Sequence, residues 1–137
     1  MQLTPLIAVH MTAAICAIAI GPIVLYARKG ATQRPKLHRA FGYAWVTMIL
    51  VALASTIFIR DYRLPNIAGY TPIHLLIPVT LYSLFSAFKS LAQGNIAGHR
   101  GAMQSLYVSA CLVAGAFTLL PQRYLGELIW HTWLGLV

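Results

Sequence analysis

The chain has 137 residues, of which 59% are hydrophobic and only 9% charged, and ten Lys and Arg against two acids give it a formal net charge of +8. A soluble domain carries about 25% charged residues, so this composition excludes a water-soluble fold and points to a single integral membrane domain. The basic residues lie at the ends of apolar runs rather than in a stripe with interleaved aromatics, which argues against nucleic acid and makes the lipid bilayer the first partner.

Crossing a hydrocarbon core of about 30 Å takes about 20 helical residues. Four runs reach that length, at 5–27, 36–59, 72–91 and 96–120. Thr4-Pro5 and Thr71-Pro72 each place a hydroxyl cap before a proline at the first helical position, and Asn95 caps the fourth run. Pro22 and Pro78 fall inside apolar runs and predict kinks. Residues 30–35 and 93–95 have the composition of short turns between antiparallel neighbours. The N-terminal run lacks a basic region and is too long for a cleavable signal. Residues 122–137 are too mixed to span, and Tyr124, Trp130 and Trp133 suit an interfacial helix. The expected fold is all-α: a four-helix bundle of two tandem αα-hairpins with a C-terminal interfacial helix.

Orientation follows from the basic residues. Arg28, Lys29, Arg34, Lys36, Arg39, Lys89 and Arg100 flank the first and third connections, whereas Arg60, Arg63 and Arg123 share the other side with both acids, Asp61 and Glu127. The positive-inside rule then puts both termini on the non-cytoplasmic side of a bacterial inner membrane.

A weak duplication runs through the chain as Thr-Pro, a histidine, a turn, and His-Arg. The first copy is Thr4-Pro5, His10, His38-Arg39, and the second is Thr71-Pro72, His74, His99-Arg100. Two hairpins in parallel repeat place His10 with His74 near one edge of the bundle and His38 with His99 near the other. Opposed imidazoles on different helices are what a b-type haem requires as axial ligands, so the expectation is one or two haems, held by those pairs. Gly42, one turn after His38, leaves room for a ring. Arg39 and Arg100 are placed to meet propionates at one edge, and Arg60 and Arg63 at the other. The aromatic residues Phe41, Tyr43, Trp45, Tyr82, Phe85 and Phe88 suit either a pocket lining or bundle packing. Glu127 and His131 share a helix face but make an incomplete metal site. Cys16 and Cys111 fit as small packing residues. With no Ser-His-Asp set, phosphate loop or carboxylate pair, hydrolase and nucleotide chemistry have no residues to run on.

The corresponding function is transmembrane electron transfer, a cytochrome b-like oxidoreductase activity with quinol as one partner. The alternative is a lipid- or quinone-binding protein, or a structural accessory subunit packed through Gly42, Gly98, Gly101, Ala114 and Gly115.

The strings TPLIAVHMTAA, KLHRAFGYAWVTMILVALAS, TPIHLLIPVTL and GNIAGHRGAMQSLYVSACLVAGAFTLLP resemble a family of small bacterial four-helix membrane proteins, domain of unknown function 2306, over nearly the whole chain. The run from His38 to Tyr43, Pro72 to His74, and His99-Arg100 carry most of that likeness. The placement of histidines at both bundle edges is also similar in architecture to the transmembrane b-561 cytochromes. That class holds two b-type haems and has six helices where this chain has four.

Overall fold

The computed structural model describes residues 3–29, 31 and 33–136. Of the first predicted turn, Gly30 and Thr32 lie outside the described residues. Four helices are long and apolar enough to span a membrane: α1 (Pro5–Tyr26), α2 (Pro35–Phe58), α3 (Pro72–Ala92) and α4 (Ile96–Thr118). A short helical segment, α5, turns from Tyr124–Glu127 into a π-helical stretch over Leu128–Trp133.

Local chemistry sets the helix starts. Thr4 accepts from the Ile7 N–H and Asn95 from the Gly98 N–H, each satisfying a donor that has no partner inside its helix. Thr71 forms a capping box with His74, and the chain enters α3 through a 3₁₀ turn over Pro72–Leu75. Pro78 therefore falls in the first α-helical turn, three residues after that 3₁₀ stretch, where its missing N–H costs little and no kink is needed. At the other end of α3, Gly94 adopts φ +71°, a left-handed conformation that lets the chain reverse into α4 within three residues.

The helices pair as two antiparallel hairpins, α1 with α2 and α3 with α4. The hairpins meet mainly where α1 touches a π-helical stretch of α4, Tyr107–Val113. Ala17, Trp45, Ile49, Leu84, Leu106 and Cys111 form the small buried core, while Phe58, Tyr82, Phe85 and many aliphatic side chains point outward. An apolar exterior over a thin core suits lipid as solvent. Hydroxyls within the spans bond back to their own helices: Thr47 donates to the Tyr43 carbonyl and Ser55 to that of Val51.

Pro22 stands inside α1, and the helix continues through it. Having no N–H, Pro22 cannot serve the Ile18 carbonyl four residues earlier. The Tyr107 hydroxyl, from the start of the π stretch, donates to that carbonyl at 3.1 Å, and the Trp45 indole of α2 donates to the neighbouring Ala17 carbonyl at 3.0 Å. Gly21 makes this possible, because a Cβ there would overlap the Tyr107 ring and stand 3.2 Å from Trp45 Nε1. By contrast, a Cβ on Gly42 meets only Val24 at 3.8 Å, and one on Gly101 meets nothing within 4 Å.

At the terminal end, Asp61 is buried and accepts from the Arg123 guanidinium at 2.7 Å and from the Arg63 N–H at 2.9 Å. Arg63 also pairs with Glu127 at 3.0 Å, but its side chain is 61% exposed. These bonds, with the Trp130 indole donating to the Leu119 carbonyl, fix α5 beside the α2–α3 loop.

Two predictions follow from these contacts. Tyr107→Phe strips the Ile18 carbonyl of its donor and lowers stability in detergent by about 1–2 kcal/mol, whereas Gly21→Ala forces the ring away at a cost of about 1–3 kcal/mol. Both are read from thermal or denaturant unfolding. Arg123→Ala takes the guanidinium from a buried carboxylate and costs about 3–5 kcal/mol, while Glu127→Ala, at the solvent-screened pair, costs far less. Equal losses at the two pairs would contradict the difference in burial.

Candidate functional site

A cavity of about 400 Å³ opens at the loop end of the bundle, between the two hairpins. All four long helices contribute: the last turns of α1 and α3 and the first turns of α2 and α4. His38, Arg39 and Gly42 line it from α2, and His99 and Arg100 from α4. Two turns deeper, Trp45 and Tyr107 form its floor, held there by their bonds to the α1 carbonyls.

Both cavity histidines are oriented in the same way. His38 Nδ1 lies 2.9 Å from the Val24 carbonyl of α1, and His99 Nδ1 lies 3.0 Å from the Ala87 carbonyl of α3. A carbonyl oxygen only accepts, so each Nδ1 carries the proton. In the neutral ring the lone pair is then on Nε2. Among the described residues neither Nε2 has a hydrogen-bond partner. Fixing one ring nitrogen on a backbone carbonyl is the usual way to orient an imidazole that ligates through the other. Phe88 adds an aromatic wall, its ring 6.4 Å from that of His99.

The charge in the cavity is positive. Arg100 donates to the Arg28 carbonyl just beyond α1 at 3.1 Å, which ties the start of α4 to the end of α1. Arg28 itself lines the cavity, as does Arg39. His38 and His99 thus give the cavity two imidazoles, and Arg28, Arg39 and Arg100 give it three guanidinium groups, between apolar or aromatic walls. Among the described residues no three His, Cys, Asp or Glu come together to hold a metal ion. Two imidazoles thus suit a metal that arrives with its own equatorial ligands better than a bare ion.

The other sequence candidates have different surroundings. His10 also keeps the proton on Nδ1, which donates to the Ala52 carbonyl at 3.0 Å and stands beside the Ser55 and Thr56 hydroxyls, so the ring fastens α1 to α2. His74 is the opposite tautomer. Its Nε2 donates to the Ile59 carbonyl at 3.1 Å, so in the neutral ring Nδ1, which lies 3.1 Å from both the N–H and the carbonyl of Thr71, accepts from the N–H, and both ring nitrogens are used within the protein. Arg60 donates to the Ala68 carbonyl and lies 3.6 Å over the Tyr70 ring, and Arg63 holds Glu127. His38 and His99 therefore share a cavity, whereas His10 and His74 are each engaged with neighbouring backbone. Tyr107 and Gly21 have no signal of this role in the sequence, and Arg28 carries one only as a basic residue near a helix end. Pro22, read from sequence as a kink, also implies a carbonyl in need of a donor, but not which residue supplies it.

The two tautomers are distinguishable in solution. Of these four histidines, nitrogen-15 chemical shifts of the ligand-free protein at neutral pH should report Nδ1–H at His10, His38 and His99, and Nε2–H at His74. The same tautomer at all four would contradict the hydrogen bonding described above.

No curated protein and no solved structure significantly matches the chain. A family model does, over residues 7–136, and its description is that of a predicted membrane protein, DUF2306. With nearly the whole length matched, and with four helices able to span a bilayer, the chain belongs to the DUF2306 family of membrane proteins.

Proposed function

We propose that the protein is a b-type haem carrier of the bacterial inner membrane, in which His38 and His99 would hold one haem in the loop-end cavity. The observation that supports this reading best is the shared hydrogen bonding of the two rings, each with Nδ1 spent on a carbonyl and Nε2 unpartnered among the described residues, in two residues that line one cavity. Bound there, a haem supplies one-electron redox chemistry, and a quinol in the bilayer is the matching donor.

The chain's own residues do the rest. His38 and His99 hold their lone pairs in place through bonds to α1 and α3, so ligation needs no tautomer change. Arg39 and Arg100 offset carboxylate charge at the cavity mouth. Trp45 and Tyr107 close the floor and keep water from the bundle interior. One haem fits this chain better than two, because the Nε2 proton and Nδ1 lone pair of His74 are both in use. Seven cations at the loop end put that end, and the cavity, on the cytoplasmic side.

Absorption spectroscopy of protein from haem-replete cells tests the proposal. The expected result is a reversible reduced-minus-oxidised b-type spectrum with about one haem per chain. His38→Ala and His99→Ala each abolish it, and His74→Ala leaves it in place. A folded but colourless preparation overturns the reading, and a quinone recovered from such a sample makes the cavity a quinone site instead.

A further inference from the structure

Arg28, Lys29, Arg34, Lys36, Arg39, Lys89 and Arg100 all lie at the loop end of the bundle, and no acidic residue lies there with them. Among the described residues, the only ion pairs with acids, Asp61 with Arg123 and Glu127 with Arg63, are at the opposite end. The loop-end charge is thus uncompensated by the protein. Lys36 and Arg39 carry it onto the first turns of α2, where cations oppose the helix dipole.

A shallow, open depression lies over this part of α2, lined by Pro35, Lys36, Arg39, Ala40 and Tyr43. It leads into an outward stripe at helical spacing. Lys36, Ala40, Tyr43, Thr47 and Leu50 are all exposed, so a cationic head of the stripe passes through an aromatic ring into an apolar tail along the span. Tyr43 is 66% exposed, and Thr47 has its hydroxyl turned back onto the helix.

We infer that this stripe binds one anionic phospholipid, with the phosphate against Lys36 and Arg39 and an acyl chain along Tyr43, Thr47 and Leu50. Charge complementarity selects an anionic lipid over a zwitterionic one, and the continuation of the stripe into the apolar span selects a lipid over free phosphate. The site lies on the outer face of α2 and adjoins the central cavity: Pro35, Arg39 and Tyr43 border both, whereas Lys36 and Ala40 border this surface alone.

Native mass spectrometry of the intact protein in detergent, titrated with phosphatidylglycerol or phosphatidylcholine of matched chains, tests the inference. One phosphatidylglycerol should bind about five-fold or more tighter than phosphatidylcholine, and Lys36→Gln should remove about five-fold of that affinity, equivalent to about 1 kcal/mol. Haem content should not change in Lys36→Gln, so failure here is separable from failure of the haem reading. Equal affinity for the two lipids overturns the inference without recourse to any variant. Displacement of the bound lipid by millimolar inorganic phosphate overturns the lipid assignment in favour of a simple anion site.

Discussion

The bundle depends on a debt created by one proline. In a bilayer no water is at hand to satisfy a stranded backbone carbonyl, and Pro22 strands that of Ile18. Tyr107, eighty-nine residues further along the chain and on the last long helix, supplies the missing donor. Gly21, beside the proline, is what lets the phenol ring approach, and the π stretch that begins at Tyr107 is where α4 meets α1. Because the same bond holds Tyr107 in the floor of the loop-end cavity, helix docking and site construction have one cause.

The histidines show how identical residue types diverge through hydrogen bonding. His38 and His99 each reach the carbonyl of the preceding helix in their own hairpin, and the duplication in sequence becomes a duplication in geometry. His74 breaks the symmetry because Thr71 starts a 3₁₀ turn, so the N–H of the cap faces the imidazole and takes its lone pair. His10, with no such cap in reach, bonds across to α2 instead.

Much of this fold was legible in the sequence. Spans were marked by apolar length, starts by Thr4, Thr71 and Asn95, and the loop-end grouping of His38, Arg39, His99 and Arg100 by the repeated His-Arg. The tautomers were not legible, since they depend on which carbonyl of a neighbouring segment lies within hydrogen-bond reach, and spacing along one helix does not carry that information. Nor were the partners of Arg60 and Arg63. A count of charges near helix ends cannot reveal that Tyr70 and Glu127 already hold them. Small residues likewise differ by facing: Gly21 is indispensable at a contact, while Gly101, equally prominent in the sequence, faces open space.

Each hairpin is closed at its loop end by a bond between residues near in sequence, fourteen apart for His38 and Val24 and twelve for His99 and Ala87. The tie from Tyr107 to Ile18 spans eighty-nine. Chain connectivity therefore imposes an order on biogenesis: each helical pair can insert and zip up as an autonomous unit while the ribosome is still at work, and lateral association of the two waits for the fourth helix.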